Sequence, residues 1–300
     1  MKTSTIGYPR IGSLRELKFA TEKYFKGEIN FENLKSISKK LRIQNLLTQK
    51  ENNIDYISSN DFSFYDNMLD TAFMLNVIPQ RYIDLNLSPI DTYFAVARGY
   101  QDKSKDVKAF SMKKWFNTNY HYMVPEFDND TVIKLNANKI IEEYTEAFEN
   151  GIKTKPSFIG PFTFLNLSKF KDNTSIYDFK DSIIEAYKKL LLKLNELNSE
   201  YIQIDEPYLV MDLDSKSIQL FKEIYSRLLE DKISTKILLQ TYFGDIRDVA
   251  EVVFDLNFDA IGLDFIEGEE NLKLISKCLK NKNTTIFAGV VNGKNIWKNI

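Results

Sequence analysis

The chain has 300 residues, with 40 Lys+Arg against 42 Asp+Glu, 43% hydrophobic and 27% charged residues. That length buries a sizeable core without disulfides, that composition excludes global disorder, and a net charge of -2 gives no reason to expect nucleic acid or an anionic membrane as partner. One Cys, Cys278, and one His, His121, exclude an internal disulfide, any two-Cys metal motif and any two-His motif.

Short β-type runs recur along the chain, separated by helical stretches. The runs are Ser4–Tyr8, Ile54–Ser59, Ser157–Gly160, Tyr201–Ile204, Lys236–Tyr242, Ala260–Phe265 and Thr284–Val291. Between the later runs, apolar residues fall at helical spacing. One face is Ile183, Ala186, Tyr187, Leu190, Leu191 and Leu194. Another is Ile218, Phe221, Ile224, Tyr225, Leu228 and Leu229, and a third is Val249, Val252, Val253 and Leu256. Alternation of this kind predicts a parallel sheet with helices outside. Mostly apolar strands are those buried on both faces. The expected fold is an α/β (β/α)8 TIM-type barrel. An open doubly wound sheet is the competitor, but no GxGxxG or GxxxxGK(S/T) loop is present to support it.

The segment of about 61–151 breaks the alternation. It holds helical patterns at Tyr65–Leu75 and Asp91–Arg98 and an aromatic stretch, Trp115–Tyr122. It is too long for an ordinary strand-to-helix connection and reads as an insertion at one end of the barrel. At the other extreme, Asn295–Ile300 reads as the start of a helix, with no residues left for an eighth strand. Residues 1–300 are therefore read as one barrel truncated near its C-terminal end. No apolar run approaches the roughly 18 residues of a membrane span. Met1 to Arg10 has no basic region leading into an apolar stretch, so a secretory signal is not expected and a cytoplasmic location is.

Barrel sites lie at the C-terminal ends of strands, so those residues carry the candidate chemistry. After the first run comes Gly12-Ser13-Leu14-Arg15-Glu16-Leu17-Lys18. Ser13 followed by Glu16 reads as a capping box, with Arg15 and Lys18 on one helix face, a place suited to carboxylates or phosphates or else a plain solvated face. Gln203-Ile204-Asp205-Glu206-Pro207 puts two adjacent carboxylates at a strand end. Alternation turns only one of them inward, and a structural role bonded to loop backbone is the other reading. Gly160-Pro161-Phe162-Thr163 reads as a turn with a close backbone approach. Asp264, Tyr242 and Gly244 add polar or permissive groups at other strand ends. In Lys113–Tyr122 the aromatics suit either a flat ligand or a hairpin packed on the barrel, and Lys114 suits an anion. His121 alone is not expected to be a metal ligand, and Cys278 is expected to be an apolar packing residue.

As a set, these strings resemble one family. Thr5–Gly12 with Arg15–Lys18, Asp61–Asp66, Asp91–Ala95, Lys114–Tyr122, Gly160–Thr163, Gln203–Pro207, Thr241–Gly244 and Gly289–Trp297 are similar, in order, to the N-terminal half of cobalamin-independent methionine synthases. The resemblance covers essentially the whole chain. It implies an enzyme of two (β/α)8 barrels that transfers a methyl group from 5-methyltetrahydropteroyl-polyglutamate to homocysteine, with zinc and no cobalamin. The family's zinc ligands, a His-x-Cys pair, a Glu and a further Cys, belong to the C-terminal barrel and nothing here matches them. What the resemblance carries over is the clamp for the polyglutamate tail: Arg15, Glu16, Leu17, Lys18 and Lys114. The implied partners are the polyglutamate donor and the C-terminal catalytic barrel. A stand-alone folate-polyglutamate-binding module, or an inactive remnant, is the alternative.

Overall fold

Alternating apolar strands and amphipathic helices form the expected architecture in a computed structural model, which describes residues 1–279 and 283–293. Six parallel strands pair in chain order: β1 (Ile57–Ser59), β2 (Thr154–Ile159), β3 (Tyr201–Asp205), β4 (Lys236–Gln240), β5 (Ala260–Asp264) and β6 (Thr285–Gly289). All residues of β1, β2 and β3 are buried, as two-sided packing requires.

The first expected strand is reduced to a single parallel bridge, Ser4 to Tyr56. Thr5 N–H still donates to Tyr56 O at 3.2 Å. Beyond it the backbone leaves the ladder, because Tyr8 N–H donates to the Asp61 carboxylate at 2.7 Å instead of to a strand. The chain then reverses through Gly12 (φ 84) and Arg15 (φ 63), both left-handed. This overturns the capping box expected at Ser13. The helix begins later, at Glu16–Phe25 with Arg15 as its N-cap and no side-chain cap. Glu16 Oε2 accepts from Leu14 N–H at 3.0 Å rather than from a cap residue.

Outside the sheet, helix Ile176–Asn195 buries the face read from the sequence, Ile183 through Leu194, and a Ser175–Asp178 capping box starts it. Helix Ser215–Leu228 buries Leu220, Phe221, Ile224, Tyr225 and Leu228, with Asp214 accepting from Ser217 N–H as its cap. Helix Ala250–Asp255 adds Val253 and Phe254 to the same core. Removing a Leu or Phe side chain from water stabilises by about 1.5–3 kcal/mol, so these faces dominate the packing.

Between β1 and β2 lie helices Asn67–Met74, Pro89–Arg98 and Asn138–Glu149 and the antiparallel hairpin Met112–Lys114/His121–Met123. Asp66 ties two of these together: its carboxylate caps the first helix at Leu69 N–H (2.8 Å) and accepts from Met123 N–H of the hairpin (3.0 Å). Cys278 ends helix Glu270–Cys278 and packs partly buried against the main core. The helix start expected at Asn295–Ile300 lies outside the described residues. Among the described residues no helix is long and apolar enough to cross a membrane.

Candidate functional site

A cavity of about 1500 Å³ opens where the strands end. Its lining includes Asn60 and Asp61 just past β1, Asp205 at the end of β3, Thr241 and Tyr242 past β4, and Asp264 at the end of β5. The hairpin contributes Trp115 and Asn117. Parallel strands deliver their last side chains to one rim, which is why residues far apart in sequence meet there.

Alternation along β3 separates the two adjacent carboxylates. Asp205 lines the cavity, while Glu206 turns away and is fully buried. Glu206 accepts from Phe162 N–H (2.9 Å), Thr163 N–H (2.6 Å) and the Tyr225 hydroxyl (2.6 Å). This explains the Gly-Pro-Phe-Thr string. A Cβ on Gly160 would lie 2.2 Å from Glu206 Oε1, so only glycine lets the carboxylate reach the start of helix Pro161–Leu167. Burial pushes the Glu206 carboxyl up to about 7 against the pull of those donors.

Beneath the cavity lies Lys155, 2% exposed on β2. Its ammonium donates to Thr5 O (2.9 Å), Ser58 Oγ (2.7 Å) and Gln203 Oε1, so its three protons reach three different segments of the chain. Gln203 passes the chain on to Asp205 Oδ1 at 2.7 Å. Burial lowers the Lys155 pKa while Asp205 and Asp61 oppose the shift. Burial raises that of Asp205, opposed by the Gln203 hydrogen bond and by Lys155. Nothing in the sequence pattern singled out Lys155, because its partners come from elements 48 to 150 residues away.

One wall is ionic. Lys139 Nζ sits 3.2 Å from Asp70 and 3.1 Å from Glu143, and Arg42 meets Glu146 at 2.8 Å. Glu143 is 6% exposed, and its Oε2 has no hydrogen-bond partner among the described residues. The other wall is aromatic. The ring of Phe116, beside Trp115, lies 5.4 Å from that of Phe243. Both residues hold left-handed backbone, Phe116 at φ 48 and Phe243 at φ 77. Bulky residues rarely adopt this conformation, and such outliers gather at functional sites. Asn117 Nδ2 at the hairpin tip donates to Glu267 Oε2 at 2.8 Å, joining the hairpin to the loop after β5.

The family described as cobalamin-independent synthase, N-terminal domain, matches residues 2–300. The chain belongs to this family. It is 52% identical over 299 residues to a 5-methyltetrahydropteroyltriglutamate–homocysteine methyltransferase of Lactococcus lactis subsp. cremoris, covering 100% of this chain and 40% of that relative. It is 50% identical to the enzyme of the same name in Streptococcus thermophilus, with the same coverage. The chain thus spans well under half the length of these relatives. A B12-independent methionine synthase from Shewanella sp. W3-18-1, solved with selenomethionine, shares the fold at a TM-score of 0.61 and 15% identity, over 87% of this chain and 72% of that one.

The five residues expected to form this family's tail clamp lie outside the cavity lining. Arg15 is exposed at the N-cap, and Glu16 is held by Leu14 N–H. Leu17 is 3% exposed and belongs to the core, so its side chain faces away from solvent. Lys18 is exposed and sits 3.8 Å from Glu22. Lys114 is exposed at the end of its hairpin strand, opposite His121. Among the described residues no hydrogen bond or ion pair joins Lys114 to the Arg15–Lys18 turn.

Proposed function

We propose that this chain is the N-terminal part of a cobalamin-independent methionine synthase, a zinc-dependent enzyme that moves a methyl group from 5-methyltetrahydropteroyl-polyglutamate to homocysteine. Its part is to hold the donor's glutamate tail. The observation that carries the reading is a match at 52% identity over all of this chain but only 40% of a relative bearing that activity in its name. Residues 1–300 then form the N-terminal barrel with its insertion at about 61–151, the C-terminal barrel is its partner, and the location is cytoplasmic.

The tail carries a row of carboxylates, and Arg15, Lys18 and Lys114 offer exposed cations for them. The Lys18–Glu22 pair is half exposed on both sides and separated by 3.8 Å, so an incoming carboxylate displaces Glu22 at little cost. Glu16 shapes the turn through Leu14, and Leu17 anchors it in the core. The donor set of this chain does not fit zinc. His121 lies on an exposed hairpin strand, Cys278 on a distant helix, and no three His, Cys, Asp or Glu side chains among the described residues are placed to hold a metal. This reading assigns the metal chemistry to the C-terminal barrel.

The test uses the full-length protein. Lys18→Ala should raise KM for a triglutamate donor more than it lowers kcat, and should do less to a monoglutamate donor. Equal losses with both donors overturn the assignment.

A further inference from the structure

The cavity itself is unused by the tail reading, and its charges are unevenly paired. Each cation lining it among the described residues already has a carboxylate: Lys35 meets Glu142 at 2.6 Å, Lys139 meets Asp70 and Glu143, and Arg42 meets Glu146. The strand-end carboxylates do not have the reverse. Asp205 takes neutral donors, Gln203 Nε2 at 2.7 Å and the Tyr242 hydroxyl at 3.5 Å. Asp264 takes backbone N–H groups of Phe243 (3.1 Å), Ile266 (2.8 Å) and Glu267 (3.1 Å). Lys155 beneath shares its field between Asp205 and Asp61, and its protons are spent on Thr5, Ser58 and Gln203. A further acceptor without a donor, Glu143 Oε2, belongs to a residue that lines the same cavity.

We propose that this cavity binds a small organic cation, an amine or guanidinium on a flat apolar body, with its charge on Asp205 and its body against Trp115, Tyr242 and Phe243. The chemistry selects the class. A buried carboxylate with neutral donors gains most from a ligand that brings both charge and N–H groups. A bare metal ion fits less well, because no three such ligating side chains converge among the described residues. Aromatic faces beside a carboxylate attract a cation twice, through the ring quadrupole and through the charge. Phe116, left-handed like Phe243, packs its ring 5.4 Å from that of Phe243 beside this wall. None of Arg15, Lys18 and Lys114 lines the cavity, so the proposal does not rest on the tail reading.

The test is a ligand-observed NMR titration of the full-length protein with two probes of one body and opposite charge, phenethylamine and 3-phenylpropionate. Phenethylamine should bind saturably and at least tenfold more tightly than 3-phenylpropionate. Asp205→Asn should weaken it at least tenfold, and tri-γ-glutamate should not displace it. Trp115→Leu, at the hairpin turn and only partly buried against the core, should weaken it as well and serves if Asp205→Asn does not fold. Absence of saturable binding, equal binding of the anion, or an affinity unchanged in both variants overturns the proposal. Displacement by tri-γ-glutamate overturns the separation of the two sites.

Discussion

The Tyr225 hydroxyl donates to Glu206 Oε1 at 2.6 Å, across the fully buried space between helix Ser215–Leu228 and the end of β3. With Phe162 and Thr163 N–H on the same carboxylate, this bond fixes the helix that follows β2 to the helix that follows β3. Hydrogen bonds to a buried charged group contribute about 1.5–3 kcal/mol each. The rim of the cavity on the β2–β3 side is thus set by a residue that does not touch the cavity.

Gly160→Ala should be among the costly small substitutions in the chain. Its Cβ would stand 2.2 Å from Glu206 Oε1, and the carboxylate has three donors holding it in place. Overpacking of this kind costs about 1–3 kcal/mol, and displacing the carboxylate adds unpaired donors. Urea denaturation should show a midpoint lowered with an unchanged slope, and Tyr225→Phe should lower it by a smaller step. A Gly160→Ala protein as stable as the parent would mean that Glu206 can move freely, contrary to the geometry.

Stability should fall as pH rises from about 4.5 to about 7. Burial raises Glu206 to about 7 and Asp66 to about 7, so both bind protons more tightly in the folded chain than in the unfolded one. For a group raised on folding, the stabilisation is complete below the unfolded pKa and is lost as pH passes the folded one. Asp55, Asp102 and Asp214 are lowered by local hydrogen bonds and act the opposite way, but they are exposed and titrate lower. Urea midpoints taken between pH 5 and pH 7 should decline, and Glu206→Gln should make the decline shallower. An unchanged slope in that variant would remove Glu206 as its source.

Much of the sheet was legible because apolar runs of strand length alternate with helical faces, and Ile183 through Leu194 pack as their spacing indicates. The failures are local and have physical causes. The first run, Ser4–Tyr8, matched a strand in composition, but Tyr8 N–H finds Asp61, 53 residues away. The run Ser157–Gly160 begins later than β2 does: proline is rare inside a sheet, yet Pro156 pairs with Ser59 in register. Ser13 and Glu16 matched the capping pattern, but two left-handed residues delay the helix past it. The candidate site divides in the same way. Asp205 and Glu206 were visible as a pair because period-two alternation forces them apart. The Lys155 chain and the contact of Phe116 with Phe243 exist only after β2, β3, the hairpin and the loop past β4 are assembled.

Lys155→Met should loosen the start of the chain before it loosens the sheet. The variant keeps the stem of the side chain but leaves Thr5 O, Ser58 Oγ and Gln203 Oε1 without their shared donor. Thr5 O keeps the Ser58 hydroxyl, whereas Gln203 Oε1 is orphaned, and a buried acceptor orphaned in this way costs about 1–3 kcal/mol. Thr5 is held otherwise by its backbone bond to Tyr56 O, by its hydroxyl on Gln49 and by the Ser58 hydroxyl on its carbonyl at 3.0 Å. Amide exchange should therefore quicken at Thr5 and Tyr56 while Leu239, in the middle of the sheet on β4, keeps its protection. Uniform acceleration across all three would place the effect on global stability instead.

Leu17 and Lys18 should separate cleanly although they are neighbours in one motif. Leu17 is 3% exposed, so Leu17→Ala opens a cavity in the core and should cost about 2–5 kcal/mol. Lys18 is half exposed with a loose 3.8 Å contact to Glu22, so Lys18→Ala should change stability by less than about 0.5 kcal/mol. Binding of a polyglutamate should show the reverse order: Lys18→Ala weakens it directly, whereas Leu17→Ala weakens it only as far as the Arg15 turn comes loose. Thermal melts of both variants, paired with titration of a triglutamate, read the two effects separately. If Leu17→Ala is as stable as the parent and still loses the tail, the leucine touches ligand and its buried placement against the core is wrong.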